Sequence, residues 1–321
     1  MTEMKIDLDF AKNLLLGHDN FNIFLHASPD GDTVGSGFAL CRALRSIGKK
    51  ANVLCSDELP PKFSFLYDWY SPQEFEPETV IAADIADKKL MGSYNEIYGD
   101  KVQLCVDHHI SNTGYAEKLL LGERSAAACE VVYSLLKAAD IAVDDTMAMC
   151  LYTGIATDTG CFKFENVTSE THRIVSELYN YDVPFAKINR HVFDIKSRGR
   201  IMAEQLVMSG LEMHCGGKCA VAAVTGDMIT AAGLTSDDFD GIASLPMQIE
   251  GVEIGITIKE KNGGGYKVSV RSAEYANVSA ICAKFGGGGH IRAAGCALDG
   301  TLEDVKKRLA EAAAEALTDG A

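Results

Sequence analysis

The chain has 321 residues, 47% of them hydrophobic, and carries 45 acidic against 30 basic side chains for a formal net charge of −15. That length accommodates two domains of ordinary size, each with its own core. So acidic a chain excludes broad binding to long nucleic acids, which depends on basic patches that displace counterions, and leaves room for a short anionic ligand held by metal ions and a few local cations. The first ten residues alternate charge and apolarity, so neither a signal peptide nor a membrane span is expected. The ten cysteines are scattered, and most (Cys41, Cys105, Cys150, Cys282) lie in apolar runs, which reads as reduced thiols in a cytoplasmic protein.

The first buried-strand pattern is Asn22-Ile23-Phe24-Leu25; it leads into His26-Ala27-Ser28-Pro29-Asp30-Gly31-Asp32 and then a helix-like run over 37–44. Pro29 and Gly31 force a turn, and a turn aims His26, Asp30 and Asp32 into one crevice where a straight strand would alternate them across two faces. A second strand is expected over 51–55, and the proline- and aromatic-rich stretch 57–77 reads as an irregular connection with a short helix. The run Thr79-Val80-Ile81-Ala82-Ala83 ends in Asp84, and 102–106 ends in Asp107-His108-His109. Three apolar strands that each finish in acidic or histidine residues point to a parallel sheet, whose carboxyl ends line one ligand-binding edge. Helices are expected over 125–139, 144–156 and 169–181, the second delivering Thr157-Asp158-Thr159-Gly160 at its end.

The polar, helical stretch 184–209 reads as a linker, giving an expected division into 1–183, 184–209 and 210–321. Beyond it the pattern changes to hairpins, with strands over 219–224, 252–259 and 266–272 and a glycine-rich turn at 262–265. The cluster His214-Cys215-Gly216-Gly217-Lys218-Cys219 imitates a metal site, but no second Cys/His pair completes one, so the glycines mark a hairpin turn. Gly286-Gly287-Gly288-Gly289-His290-Ile291-Arg292-Ala293-Ala294-Gly295 follows, and a closing helix is expected over 302–317.

If the strand-end groups converge, His26, Asp30, Asp32, Asp84, His108, His109 and Asp158 offer too many ligands for one metal ion and enough for two. Imidazole mixed with carboxylate suits Mn²⁺, and also Fe²⁺, Co²⁺ or Zn²⁺, whereas Mg²⁺ prefers all-oxygen ligands. Two such ions about 3.5–4 Å apart clamp an in-line phosphoryl displacement, so phosphate-ester hydrolysis is the reaction expected of this set. Taken singly, each group also has a structural reading: Asp84 as a helix cap, the histidine pair as surface or core, Asp158 as a helix end.

As an ordered set, His26 to Asp32, Asp84, Asp107-His108-His109, Asp158 and the glycine-rich His290 segment resemble the DHH phosphoesterase superfamily. More closely they resemble its NrnA-like bifunctional oligoribonucleases, which degrade nanoRNA and dephosphorylate 3′-phosphoadenosine 5′-phosphate (pAp). The resemblance implies an α/β fold with an N-terminal parallel-sheet DHH domain and a smaller α/β DHH-associated domain with a mixed sheet. It implies that His26, Asp30 and Asp84 hold one divalent cation and that Asp32, Asp84, His108 and Asp158 hold another, Mn²⁺ first with Mg²⁺ or Co²⁺ as alternatives. Asp107 would orient a histidine, and His109 would face the leaving oxygen as acid or hydrogen-bond donor. Arg271, Ser272, Gly287, Gly288, Gly289 and His290 would take the substrate's terminal phosphate, with the glycine N–H groups converging into an anion-binding nest. The resemblance also leans towards a homodimer. Two other readings remain open at this level: a phosphodiesterase of cyclic dinucleotides or their linear products, and a non-catalytic nucleotide sensor, whose mark would be a lost ligand.

Overall fold

In the computed structural model, which describes residues 4–235, 239, 241–261 and 263–318, the chain divides between Ile195 and Lys196 into two units. The first opens with α1 (Leu8–Gly17) and is built on β1 (Phe21–Phe24), β2 (Ala51–Leu54), β3 (Thr79–Ala83), β4 (Leu104–Asp107) and β5 (Lys118–Leu121). These form one sheet in the order β2-β1-β3-β4-β5, every neighbouring pair parallel. β1 and β3 are buried at every position, as befits strands covered on both faces. One face packs on α2 (Gly31–Ser46), with α3 (Asn95–Tyr98) on the other; α4 (Ala128–Ala138) and α5 (Asp145–Asp158) complete the main core with Phe38, Leu44, Leu135 and Leu151. α6 (Ser169–Leu178) and α7 (Phe185–Asn189) finish the unit. The chain leaves β1 for β2 on one side and returns to β3 on the other, and that reversal opens a crevice beyond their carboxyl ends.

Packing explains where local pattern misleads. The stretch 31–37 carries three glycines and reads as loop, yet α2 starts at Gly31, because Asp30 caps it: its Oδ1 accepts from the N–H groups of Asp32 (3.0 Å) and Thr33 (3.1 Å). Gly35 is needed for the close approach of α5, since a Cβ there would stand 2.5 Å from the Cys150 carbonyl oxygen. The pattern does not predict α1 or β5; the apolar run of β5 is only the three leucines after Lys118. The stretch 184–209 splits between the units: Phe185 and Ile188 of α7 bury in the first core, and Ala203 and Val207 of α8 (Arg198–Ser209) bury in the second unit.

The second unit holds β6 (Glu212–His214), β7 (Cys219–Val224), α9 (Gly226–Ala231), β8 (Ile254–Glu260), β9 (Tyr266–Ser272), α10 (Val278–Ala283), β10 (Gly288–His290), β11 (Ala293–Leu298) and α11 (Leu302–Thr318). Its sheet runs β10-β11-β9-β8-β7-β6 and is mixed: β7 and β8 pair in parallel, the rest antiparallel. Ile254, Ile256, Ile258, Val268 and Val270 pack with residues of α10 and α11, while Ala222 and Val224 on the opposite face pack with α8. The 214–219 cluster is the β6–β7 hairpin, as its glycines indicate. Among the described residues no helix is long and apolar enough to cross a membrane.

Candidate active site

β1, β3 and β4 lie side by side in the sheet, and each delivers polar residues just past its carboxyl end: His26 after β1, Asp84 after β3, and Asp107 to His109 at the end of β4. The start of α2 adds Asp30 and Asp32, and α5 ends on Asp158. Three trios, His26–Asp30–Asp84, Asp32–His108–Asp158 and Asp84–His108–His109, each bring one ligand atom per residue within 4.8 Å of the others. Asp84 joins them. Its Oδ2 lies 3.7 Å from His26 Nε2, and its Oδ1 lies 3.6 Å from His108 Nε2. His108 Nε2 is also 3.2 Å from Asp158 Oδ2 and 3.9 Å from Asp32 Oδ2, while His26 Nε2 is 3.7 Å from Asp30 Oδ1.

Both imidazoles are turned to present a lone pair. His26 Nδ1 bonds to the Ala27 carbonyl (2.8 Å) and His108 Nδ1 to the Ser125 carbonyl (3.2 Å). A carbonyl oxygen only accepts, so each Nδ1 carries the proton and, in the neutral ring, each Nε2 is the free donor atom. Asp84 Oδ1 and His108 Nε2 are buried without a hydrogen-bond partner among the described residues. Leaving a buried polar atom so costs about 1–3 kcal/mol, more for a charged one. Asp84 is also held at φ +59°, in the left-handed region that non-glycine residues seldom occupy. The two orphaned atoms, with oxygen and imidazole donors around them, fit a pair of divalent cations of the Mn²⁺ type.

The electrostatics agree. Burial, followed by the charge of Asp158, pushes the Asp32 carboxyl up to about 7. Burial, then Asp32, Asp30, Asp158 and Asp107, pushes Asp84 well above the usual carboxylate range. Burial opposes the charge on His108, but the close Asp158 carboxylate and the field of Asp32 hold it up at about 9. Burial opposes the charge on Asp30 as well, and the nearby His26 ring with the Thr33 N–H bond outweighs it, keeping that carboxyl low. The crevice therefore holds more negative charge than its own cations neutralise, the condition in which added metal ions bind best.

The groups behind the cluster are ones that spacing in the sequence does not reveal. Asp32 accepts from the N–H groups of Ala128 (2.5 Å) and Cys129 (3.0 Å), so the first turn of α4 clamps its carboxylate. Asp107 Oδ1 accepts from His109 Nδ1 (2.8 Å), and its Oδ2 accepts from Asn112 Nδ2 (2.6 Å). The His109 ring is thereby fixed with Nε2 free, and the side chain is 42% exposed, open to a ligand. Nothing in the motif pattern marks Asn112 or the Ser125 carbonyl; each acts through one hydrogen bond made possible by the fold.

In the second unit, strand register places His290 opposite Ala293 and Ala293 opposite Arg271. Residues directly opposite share a face, so His290 and Arg271 stand on one side of the sheet across a small alanine, roughly 10 Å apart at two strand spacings. Arg271 is half-buried; its Nη1 donates to the Val270 carbonyl (3.1 Å), and among the described residues no carboxylate pairs with it. Ser272 Oγ donates to the Ala276 carbonyl (2.7 Å). The following loop is fixed by the buried Glu253, which accepts the N–H groups of Glu274 (3.0 Å), Tyr275 (2.8 Å) and Ala276 (2.7 Å). The glycine run differs from the expected nest. The Gly286 and Gly287 N–H groups close the end of α10 on the Ala283 (3.1 Å) and Cys282 (2.9 Å) carbonyls, and Gly288 and Gly289 pair with β11. Gly287 is needed there because a Cβ would stand 2.3 Å from the Gly295 carbonyl oxygen.

Comparison with known proteins agrees with this geometry. Residues 20–155 match the DHH family, N-terminal domain, and residues 216–319 match the DHHA1 domain. The bifunctional oligoribonuclease and PAP phosphatase NrnA of Thermus thermophilus is 33% identical over 92% of this chain and 90% of its own. The protein of the same name from Bacillus subtilis is 23% identical over 88% and 90%. Among solved structures, an exopolyphosphatase-related protein from Bacteroides fragilis superposes with a TM-score of 0.81 at 25% identity, covering 95% of this chain and 94% of that one. The chain belongs to the DHH family, in its NrnA-like group of bifunctional oligoribonucleases and PAP phosphatases.

Proposed function

We propose that this chain is a metal-dependent phosphoesterase that hydrolyses short oligoribonucleotides to mononucleotides and removes the 3′-phosphate of pAp to give AMP. The observation that carries the reading is Asp84, a buried carboxylate with one oxygen towards each of two ligand trios and one of those oxygens unpartnered. His26, Asp30 and Asp84 would hold one cation, and Asp32, Asp84, His108 and Asp158 the other. The mixture of imidazole and carboxylate supports Mn²⁺, with Mg²⁺ or Co²⁺ able to substitute. Bound there, the cations supply Lewis-acid activation of the phosphate and of the attacking water.

The chain's own groups do the rest. Asp107 holds the His109 ring through Nδ1–H, and in its imidazolium form His109 offers Nε2–H to the departing oxygen, as acid or as donor. Arg271, which has no ion-pair partner among the described residues, takes the substrate's terminal phosphate through its planar fork, with Ser272 and His290 beside it and Gly287, Gly288 and Gly289 allowing close approach. The relatives named for oligoribonuclease and PAP phosphatase activities support both substrates. Ten unpaired thiols support a reducing, cytoplasmic setting.

The test is turnover of pAp, a 5′-phosphorylated RNA dinucleotide and a cyclic dinucleotide, side by side in Mn²⁺ and in EDTA. Mn²⁺-dependent release of phosphate from the first and mononucleotide from the second is expected. Turnover of the cyclic substrate alone would overturn the substrate assignment, and tight binding without any turnover would overturn the catalytic one.

A further inference from the structure

Directly after Asp158 the chain makes an unusual reversal. Gly160, Cys161 and Phe162 are all left-handed, at φ +54°, +58° and +65°. Two of these are not glycine, and such backbone persists only where its surroundings hold it. Thr159 braces it: its hydroxyl donates to the Ile155 carbonyl (2.7 Å) and accepts from the Phe162 N–H (3.1 Å), while its own carbonyl takes the Lys163 (2.9 Å) and Phe164 (3.1 Å) N–H groups. The outcome is that Asn166 returns to the end of α5. Its Nδ2 donates to two carbonyls, that of Asp158 (3.1 Å) and that of Ala126 (3.1 Å). Both partners only accept, so the amide must present its nitrogen to both. The Asp158 carbonyl is one that a helix end leaves without an intrahelical partner, and Asn166 supplies one.

The segment on the far side of that amide is the one that sets the other two members of the same trio. Within 125–129, the Ser125 carbonyl fixes the His108 ring, and the Ala128 and Cys129 N–H groups clamp Asp32. One side-chain amide thus ties the backbone carrying Asp158 to the backbone that orients His108 and Asp32. It makes no contact of this kind with the His26–Asp30–Asp84 trio. Because Asn166 is an exposed residue, its removal opens no core cavity.

We infer that Asn166 is a positioning residue: it sets Asp158 against His108 and Asp32 and so governs the affinity of one of the two cation sites. The inference rests on the proposed two-cation reading. Groups that orient metal ligands from behind typically change metal affinity about ten- to a hundredfold when removed. Asn166→Ala and Asn166→Asp are therefore expected to bind one Mn²⁺ as tightly as the natural chain and the second about ten- to a hundredfold more weakly. The aspartate variant is the sharper one, because its added negative charge alone would tighten cation binding; weakening there isolates the lost donor bonds.

The experiment is calorimetric titration of metal-free protein with Mn²⁺, with electron paramagnetic resonance at two equivalents and melting of the metal-free proteins in EDTA. The natural chain should take two ions and show a coupled pair; the variants should show one bound and one largely free ion, with metal-free melting close to that of the natural chain. Unchanged affinity for both ions in the variants would overturn the inference while leaving the two-cation reading standing. Equal weakening of both sites together with a lower metal-free melting temperature would overturn it too, as general damage to the unit. A natural chain that takes up no Mn²⁺ would instead remove the two-cation reading itself.

Discussion

Replacing Asp84 by asparagine separates what the site costs from what it does. Asp84 is 2% exposed, its Oδ1 has no hydrogen-bond partner among the described residues, and its backbone is left-handed at φ +59°. Burial and the surrounding carboxylates push its pKa well up in the folded protein. A group with a raised folded-state pKa contributes stability at low pH and loses it as pH rises, so at about pH 8, where the unfolded chain carries it ionised, metal-free folded protein is penalised. Asparagine keeps the shape, removes the charge and occupies left-handed backbone more readily. Relieving a buried, unsatisfied polar oxygen is worth about 1–3 kcal/mol, and more where it is charged. Metal-free Asp84→Asn should thus be more stable by about 2 kcal/mol, which for a unit of this size raises Tm by about 4–8 °C. In Mn²⁺ the order should reverse, since at a hundredfold excess over Kd each site adds about 2.7 kcal/mol to a chain that can bind it, and on the proposed reading the variant lacks the ligand common to both sites. Thermal unfolding by circular dichroism in EDTA and in Mn²⁺ reads both signs. A variant less stable than the natural chain in EDTA would refute the reasoning.

If His109 faces the leaving oxygen as proposed, His109→Ala should lower kcat on pAp about 10²- to 10⁴-fold with little change in KM; steady-state kinetics decide, and a KM effect alone would contradict the role. Arg271→Ala should raise KM for a 5′-phosphorylated dinucleotide by about ten- to a hundredfold, the worth of hydrogen bonds to a charged group, and leave Mn²⁺ uptake unchanged. Gly287→Ala should destabilise the second unit, because its Cβ would meet the Gly295 carbonyl oxygen at 2.3 Å, whereas Gly288→Ala has open space and should be neutral. Chemical denaturation of the two variants checks the contrast, and equal stabilities would count against the β10–β11 register.

The residues legible in the sequence are those whose placement depends on local structure. His26, Asp84 and Asp107 to His109 follow apolar strands, and parallel strands bring such ends together whatever the rest of the chain does. Asp30 is legible in the sequence as a candidate ligand, and the structure makes it the cap of α2 as well, standing 3.7 Å from His26 Nε2. What was hidden depends on partners far along the chain. The α4 turn that clamps Asp32 lies 96 residues away, and Asn166 reaches Ala126 across 40. The surroundings of the glycine run are hidden for the same reason: the Gly286 and Gly287 N–H groups close the end of α10, Gly288 and Gly289 pair in register with β11, and neither is apparent in the run itself. α2 begins within a glycine-rich stretch because α5 requires the missing Cβ at Gly35, a tertiary demand that overrides helix propensity.

The central claim is that hydrolysis depends on two cations that meet at Asp84. Its most direct test is to strip the protein with chelator, restore Mn²⁺ in measured equivalents, and follow phosphate release from pAp at each step. The account predicts no turnover without metal and full turnover only as the second equivalent binds. Turnover that persists in the stripped protein, or that is complete at one equivalent, would contradict it.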